Sequence, residues 1–260
     1  MSDAGSESDA GTAAAADSDA PAEDRPTDAP AEDRPTDAPA DDRPTDADAD
    51  AAARGALYAL VARAATEPDP ELHDALASGA LDRECRRLLD RTSLDVAPPD
   101  LTTDDDRETV CARFNDLFVI GHTTVEDRTD GTIDAEGPSV SLYESGYRPE
   151  ASWNDVNLDL ARAYDYFGVA VDTERRENHD HYRLEAEFAG YLCRREAAVD
   201  PDAARARLDF LDRHFAVLTE GVADALADEP GTGYYGELAA FARRLVAADT
   251  DDLADRLEGR

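Results

Sequence analysis

Lysine is absent from this 260-residue chain: its 26 basic residues are all arginines, set against 61 acidic residues for a formal net charge of −35. So little cation argues against direct binding to DNA or RNA, whose phosphates need a basic surface to displace their counterions. Anionic membrane surfaces are disfavoured for the same reason. Without lysine there is no Gly-x-x-x-x-Gly-Lys phosphate loop, and no Gly-x-Ser-x-Gly nucleophile elbow occurs either. Cysteine is scarce and scattered, at Cys85, Cys111 and Cys193. That spacing excludes a zinc site of paired thiolates and predicts buried thiols in a reduced compartment. No run of about 18 apolar residues is present, so no membrane-spanning helix is expected. The acidic N-terminal stretch has no apolar segment, which predicts no signal peptide and a cytoplasmic protein.

Surplus carboxylate without lysine is the composition of a protein that works in multimolar salt, and it predicts an extreme halophile as the source. Carboxylates hold hydration water and salt cations well. At such salt the Debye length falls to about 3 Å or less, so recognition must rest on short-range contacts.

The first 53 residues differ from the rest. Residues 21–29 read PAEDRPTDA, residues 30–38 repeat it, and residues 39–47 read PADDRPTDA. Two prolines per copy, with no aromatic or large aliphatic residue, cannot build a core. Residues 1–53 are therefore expected to be a disordered, solubilising acidic tail, and residues 54–260 a single domain.

That domain reads as helix after helix, and the expected fold class is all-α. Leu57, Leu60, Val61 and Ala64 keep the 3.6-residue period, and helices follow at about 71–78 and 80–91. Val110, Phe114, Leu117 and Phe118 form one stripe; Asp104, Asp105 and Asp106 supply its cap, and Gly121 its stop. Val156, Leu160, Ala163, Tyr164 and Phe167 mark another helix, ended by Gly168. Leu184, Phe188, Tyr191 and Leu192 mark one starting near Asp180. Leu208, Leu211, Phe215, Leu218, Val222 and Leu226 predict one long core helix. Leu238, Phe241, Ala242 and Leu245 predict a last one after the break at residues 230–233. Between residues 121 and 153 no helical stripe appears, and a loop this long in a compact domain is usually functional or disordered. Its second half, residues 141–153, carries Tyr143, Tyr147 and Trp153, so it is expected to be ordered, with Trp153 in the core or clamping the loop.

The densest polar cluster is E-N-H-D-H-Y-R-L-E-A-E-F at residues 177–188. Three readings are open for it. His179, Asp180 and His181 with Glu185 form a metal site of a helical hydrolase, although residues two apart point to different faces of a helix. Alternatively Asp180 is a helix cap beside a satisfied histidine. In the third reading the cluster is the polar anchor of a peptide-binding groove.

Three stretches in order bear on that choice. R-F-N-D-L-F-V-I-G at residues 113–121 is similar to the aromatic-x-x-Leu-Phe-x-Gly helix end of the TorD/DmsD family of redox-enzyme maturation chaperones. L-Y-E-S-G-Y at residues 142–147 resembles that family's Pro-aromatic-x-Ser-x-aromatic loop, and N-H-D-H-Y-R-L-E-A-E-F at residues 178–188 its Pro-Asp-His and Glu-rich helix. F-L-D-R-H-F at residues 210–215 and the pair Tyr234 and Tyr235 are weaker echoes. The resemblance covers roughly residues 55–248. It departs where Leu142 and His179 replace the family's prolines and where the stretch between Gly121 and Tyr143 is longer.

The resemblance implies an all-helical, non-enzymatic cytoplasmic chaperone without a cofactor or metal of its own, monomeric or homodimeric. Its implied partner is the precursor of a molybdopterin oxidoreductase of the DMSO-reductase type, bound through its twin-arginine leader until the cofactor is inserted and export can follow. Such a groove needs apolar walls and acceptors at one end. Phe114, Leu117, Phe118, Leu142, Tyr143 and Tyr147 are the expected walls. Asp180, and less so Glu144, are the expected acceptors of a guanidinium, with His179 and His181 beside them.

Overall fold

The computed structural model describes residues 45–124, 134–171, 178–198, 200 and 202–259. Helix α1 (Asp46–Ala64) starts on Thr45, whose hydroxyl accepts from the Asp48 amide while the Asp48 carboxylate accepts from the Thr45 amide. This reciprocal cap satisfies two end donors. The expected boundary at residue 53 thus falls inside a helix that already buries Ala51 and Ala53. The cause is local: the third repeat ends in Thr-Asp-Ala, a cap followed by an alanine-rich run of high helix propensity. Residues 1–44, which hold the rest of the expected tail, lie outside the described residues.

Helices α2 (Pro70–Ala77), α3 (Ala80–Leu89) and α4 (Arg107–Phe118) follow, with Asp69 and Asp106 capping α2 and α4. Helix α4 ends at Phe118, and Gly121 does not stop it but opens strand β1 (Gly121–Thr124), paired antiparallel with β2 (Asp134–Pro138). This hairpin occupies the first half of the expected loop; its short strands carry no alternating apolar pattern that would announce them. The second half is ordered, as expected, and contains a 3₁₀ turn at Glu144–Tyr147. Trp153 instead opens α5 (Trp153–Tyr166) and is 51% exposed, so it belongs to neither core nor clamp. Its indole sits on the outer side of a first turn whose inner side is taken by Val156 and Asn157.

Helix α6 (Tyr182–Ala198), α7 (Ala203–Phe210), a π-helical turn (Leu211–Phe215), α8 (Ala216–Asp228) and α9 (Tyr234–Glu258) complete the chain. The long helix expected across residues 208–226 exists as one helical run, with the π turn set into it. The all-α reading holds, the β1–β2 hairpin being the one strand pair among the described residues.

Helices α1 and α6 make the most extensive contact in the fold. They meet backbone to backbone at two glycines. A Cβ on Gly190 would lie 2.9 Å from the Gly55 carbonyl oxygen, and one on Gly55 would lie 3.0 Å from that of Gly190. Around this crossing Leu57, Tyr58, Val61, Phe188, Leu192, Phe215, Phe241 and Leu245 are buried.

Among these apolar side chains lie two buried guanidiniums and one buried carboxylate. Asp249 of α9 accepts from Arg54 Nη1 at 2.8 Å and from the Tyr58 hydroxyl at 2.8 Å, and stands 3.3 Å from Arg207 Nη1. Arg207 also reaches Glu196 at 2.9 Å and the Cys193 sulfur at 2.6 Å. Burial pushes the Cys193 thiol up to about 12, so it remains protonated and inert.

Alanine at Gly190 gains about 1 kcal/mol of helix propensity but forces a methyl group against a backbone oxygen that cannot yield. Overpacking of this kind costs about 1–3 kcal/mol, so Gly190→Ala is expected to lower the midpoint of denaturant unfolding. Asp249→Asn leaves Arg54 and Arg207 short of their shared counter-charge and is expected to cost about 3–5 kcal/mol in the same measurement.

Candidate functional site

The loop at residues 141–147 and the turn at residues 178–182 meet edge to edge. The Glu144 amide donates to the Asp180 carbonyl at 2.9 Å and the Tyr182 amide to the Leu142 carbonyl at 2.8 Å, which pairs Tyr143 with His181 in an antiparallel bridge. Their rings then meet edge to face, 5.1 Å between centroids. The loop is anchored at both ends: the Val140 amide donates to the Leu117 carbonyl of α4, and the Tyr147 hydroxyl closes back on the Ser141 carbonyl at 2.8 Å. Tyr147 lies flat on Gly221 of α8, where a Cβ would fall 2.3 Å from its ring carbons. Its half-burial pushes the phenol up to about 12.

Asp180 is not the cap of α6. Its carboxylate is fully buried and accepts from the Ser145 amide at 3.1 Å and from Asn157 Nδ2 at 3.0 Å. It therefore stitches the loop to the turn and to α5. Asn157 completes the stitch, its Oδ1 accepting from the His179 amide at 2.9 Å, while the Tyr164 hydroxyl donates to the His179 carbonyl. His181 serves the helix start instead, its Nδ1 accepting from the Arg183 amide.

Glu144 is fully buried as well. Its carboxylate binds the Arg148 guanidinium and stands 3.0 Å from His214 Nδ1. Next to it lies Glu185, also fully buried, neither of whose oxygens receives a hydrogen bond from a donor group. Burial first, and then the neighbouring Glu144 and Asp180, raise the Glu185 carboxyl well above the ordinary carboxylate range, so it stays neutral and can share its proton with Glu144.

The apolar walls form a second, contiguous group. Phe114 and Phe118 pack on each other and on Tyr235 of α9 at 5.2–5.9 Å between centroids. Phe118, Leu142, Tyr182 and Tyr235 line one narrow cleft that reaches α8 and α9. Leu142 and Tyr182, which flank the Tyr143–His181 bridge, thus join the walls to the polar cluster.

The ten expected site residues are brought together, but not as an open groove. Phe114, Leu117, Leu142, Glu144 and Asp180 are buried; Phe118, Tyr143, Tyr147, His179 and His181 form the half-buried outer layer. As acceptors of an incoming guanidinium, Asp180 and Glu144 are already engaged. Asn157, Glu185 and His214 join the cluster without having been expected there as groove residues. Each is a polar residue on a buried helical stripe: Asn157 beside Val156 and Leu160, Glu185 beside Leu184 and Phe188, His214 between Leu211 and Leu218. That misplacement is the signal that marks them. Arg148 gives no such signal. The metal-site reading of the His179–His181 cluster has no structural support: no group of three or more His, Cys, Asp or Glu side chains among the described residues could hold a metal ion.

Loop, turn and helix end thus converge on aromatic walls over buried acceptors within an all-helical fold. The nitrate reductase delta subunit family model matches residues 74–217, and the chain belongs to this family of TorD-like assembly chaperones, which are not catalysts. A perchlorate reductase assembly chaperone protein of Dechloromonas aromatica (strain RCB) is 27% identical over 207 residues, covering 77% of this chain and 90% of that one. A selenate reductase assembly chaperone protein of Thauera selenatis is 35% identical over 103 residues, 36% of this chain and 53% of that one. A chlorate reductase assembly chaperone protein of Ideonella dechloratans is 34% identical over 116 residues, 42% of this chain and 53% of that one. The chain thus spans about half the length of the selenate and chlorate relatives. No helix among the described residues is long and apolar enough to cross a membrane.

Glu185 has an ordinary value of 4.5, which holds in the unfolded chain, and is raised in the fold. Its contribution to stability is therefore complete below pH 4.5 and is lost as the pH rises toward the folded value. Glu185→Gln keeps the shape and is neutral at every pH. It is expected to melt about 2–4 °C above the parent at neutral pH, with the gap closing as the pH is lowered, in thermal melts run across pH.

Proposed function

We propose that the protein is a cytoplasmic assembly chaperone for a molybdopterin oxidoreductase that reduces an oxyanion. It binds the precursor of the catalytic subunit through its twin-arginine leader and delays export until the cofactor has been inserted. The observation that carries this reading is the joint between the loop at residues 142–147 and the turn at residues 179–182. It sets half-buried Tyr143, Tyr147, His179 and His181 over buried carboxylates, beside the apolar cleft of Phe118 and Leu142. A leader offers a pair of guanidiniums followed by an apolar run, which is the same order of chemistry. Arginine on carboxylate at contact distance is charge-assisted and directional, and it survives concentrated salt that screens diffuse attraction. The relatives named for selenate, perchlorate and chlorate reductases support an oxyanion reductase as the client class.

Affinity capture from the native cytoplasm in multimolar potassium chloride, followed by mass spectrometry, tests the reading. A molybdoenzyme subunit still carrying its leader is the expected catch. His181→Ala and Tyr143→Ala remove outer-layer contacts and are expected to weaken binding of that precursor about tenfold or more, as truncation at the centre of an interface does. Undiminished capture by both variants, or the absence of any leader-bearing subunit, sinks the assignment.

A further inference from the structure

The cluster behind the outer layer already contains a guanidinium of its own. Arg148 lies one turn beyond Glu144, donates its Nε to the Glu144 carboxylate, and donates Nη2 to the backbone carbonyl of Arg213. Its Nη1 faces Glu150 at 3.8 Å. A carboxylate, a main-chain carbonyl and a second carboxylate are what the forked donors of a peptide arginine require. Arg148 remains 20% exposed at the edge of a surface cavity of about 360 Å³. Asp155, Asp159 and Asp212 line that cavity with Val156 and Val217.

Two independent features show that the niche is built rather than incidental. The first is the π turn at Leu211–Phe215, which interrupts the run from α7 to α8 where it faces Arg148. Such turns are rare and gather at functional sites, because the extra residue re-aims neighbouring groups. Here the turn carries both the Arg213 carbonyl that accepts from Arg148 and His214, which stands 3.0 Å from Glu144 and 3.3 Å from Asp159. The second is Glu185, fully buried beside Glu144, the carboxyl with which it shares a proton. Glu144 thus seats one guanidinium with a second buried carboxyl, Glu185, beside it.

We propose that the Glu144–Arg213 niche receives one arginine of the bound peptide, and that Arg148 is its resident occupant, which swings into the cavity when the peptide guanidinium takes its place. This rests on the leader-binding reading and adds to it the receiving carboxylate and a built-in competitor. It moves the acceptor from Asp180, whose oxygens hold the loop together, to Glu144, whose partner is a partly exposed side chain able to leave. The exchange swaps like for like, so no buried carboxylate is ever left without a counter-charge, a state that would oppose entry strongly. It also discriminates against lysine, whose ammonium cannot reproduce the fork that bridges Glu144 and the Arg213 carbonyl.

A competitor on the same chain weakens apparent binding by the fraction of time the niche is open; for a niche closed nine-tenths of the time, its removal tightens binding about tenfold. The test measures binding of two synthetic peptides to the full chain in multimolar potassium chloride. One carries an Arg-Arg pair before an apolar run, and the other is its Lys-Lys counterpart. Arg148→Ala is expected to bind the Arg-Arg peptide about tenfold more tightly than the parent, while the Lys-Lys peptide gains little. No gain for Arg-Arg, or an equal gain for both peptides, overturns the exchange. A second readout needs no leader: N-acetyl-arginine amide should raise the melting temperature of Arg148→Ala but not of the parent, and N-acetyl-lysine amide should raise neither. Absence of that selective rescue overturns the niche whatever the peptides do. Selective rescue with no binding of either peptide by parent or variant keeps the guanidinium niche and sinks the leader reading. Should Arg148→Ala not fold, Arg148→Lys keeps the charge without the fork, and its gain must again be confined to the Arg-Arg peptide.

Discussion

Asp249 is the point on which the fold turns. Its carboxylate, without solvent contact, holds Arg54 and Tyr58 of α1 and stands beside Arg207 of α7, so one side chain of α9 ties three helices together. Arg207 extends the tie to α6 through Glu196 and Cys193. Buried ions are costly to desolvate and repay the cost only through good pairing, so the cluster favours this arrangement of the helices. The Gly55–Gly190 contact brings α1 and α6 close enough for that arrangement to form. Apolar packing alone would permit neighbouring registers; two guanidiniums sharing one carboxylate do not.

The same device appears at the candidate site, with the signs unbalanced. In the core, two guanidiniums meet Asp249 and its flanking acids; in the site, one arginine meets Glu144, with Asp180 and Glu185 buried nearby. The core cluster is closed and structural. The site cluster keeps Glu185 neutral through burial and neighbouring charge, and it is lidded by a loop whose hold on the turn passes through Asp180 and Asn157. On the proposed reading, rigid backbone around these buried acids is the preorganisation that a cationic peptide group needs. It also suits a chain of net charge −35, whose surface carboxylates attract at range only in dilute salt, whereas buried acceptors act at contact.

How much of this was legible follows from which signals are local. The stripes of α4, α5 and α6 and the cap at Asp106 are periodic or adjacent features, and they read directly from the residues. The pairing of β1 with β2 did not, because pairing rather than pattern makes these residues strands. The π turn was hidden for a related reason: Leu208, Leu211 and Leu218 keep helical spacing across it. The start of α1 inside the last acidic repeat was missed because that repeat looks like its two predecessors, and only burial of Ala51 and Ala53 distinguishes it. In the site, the loop motif, the His-Asp-His turn and the α4 aromatics were visible as separate pieces. Asn157 and His214 were visible only as polar residues out of place on apolar stripes, and Glu185 only as a candidate metal ligand.

By itself the sequence determined the helical class, the family resemblance and a short list of candidate residues. These follow from composition, period and motif order, which are properties of neighbours along the chain. The tertiary structure alone decided what each of those residues does: that Asp180 is a stitch, that Glu144 already holds an arginine, and that Asp249 anchors three helices. Burial and partnership set those roles. Both depend on contacts between residues as far apart as Arg54 and Asp249, which no local pattern encodes.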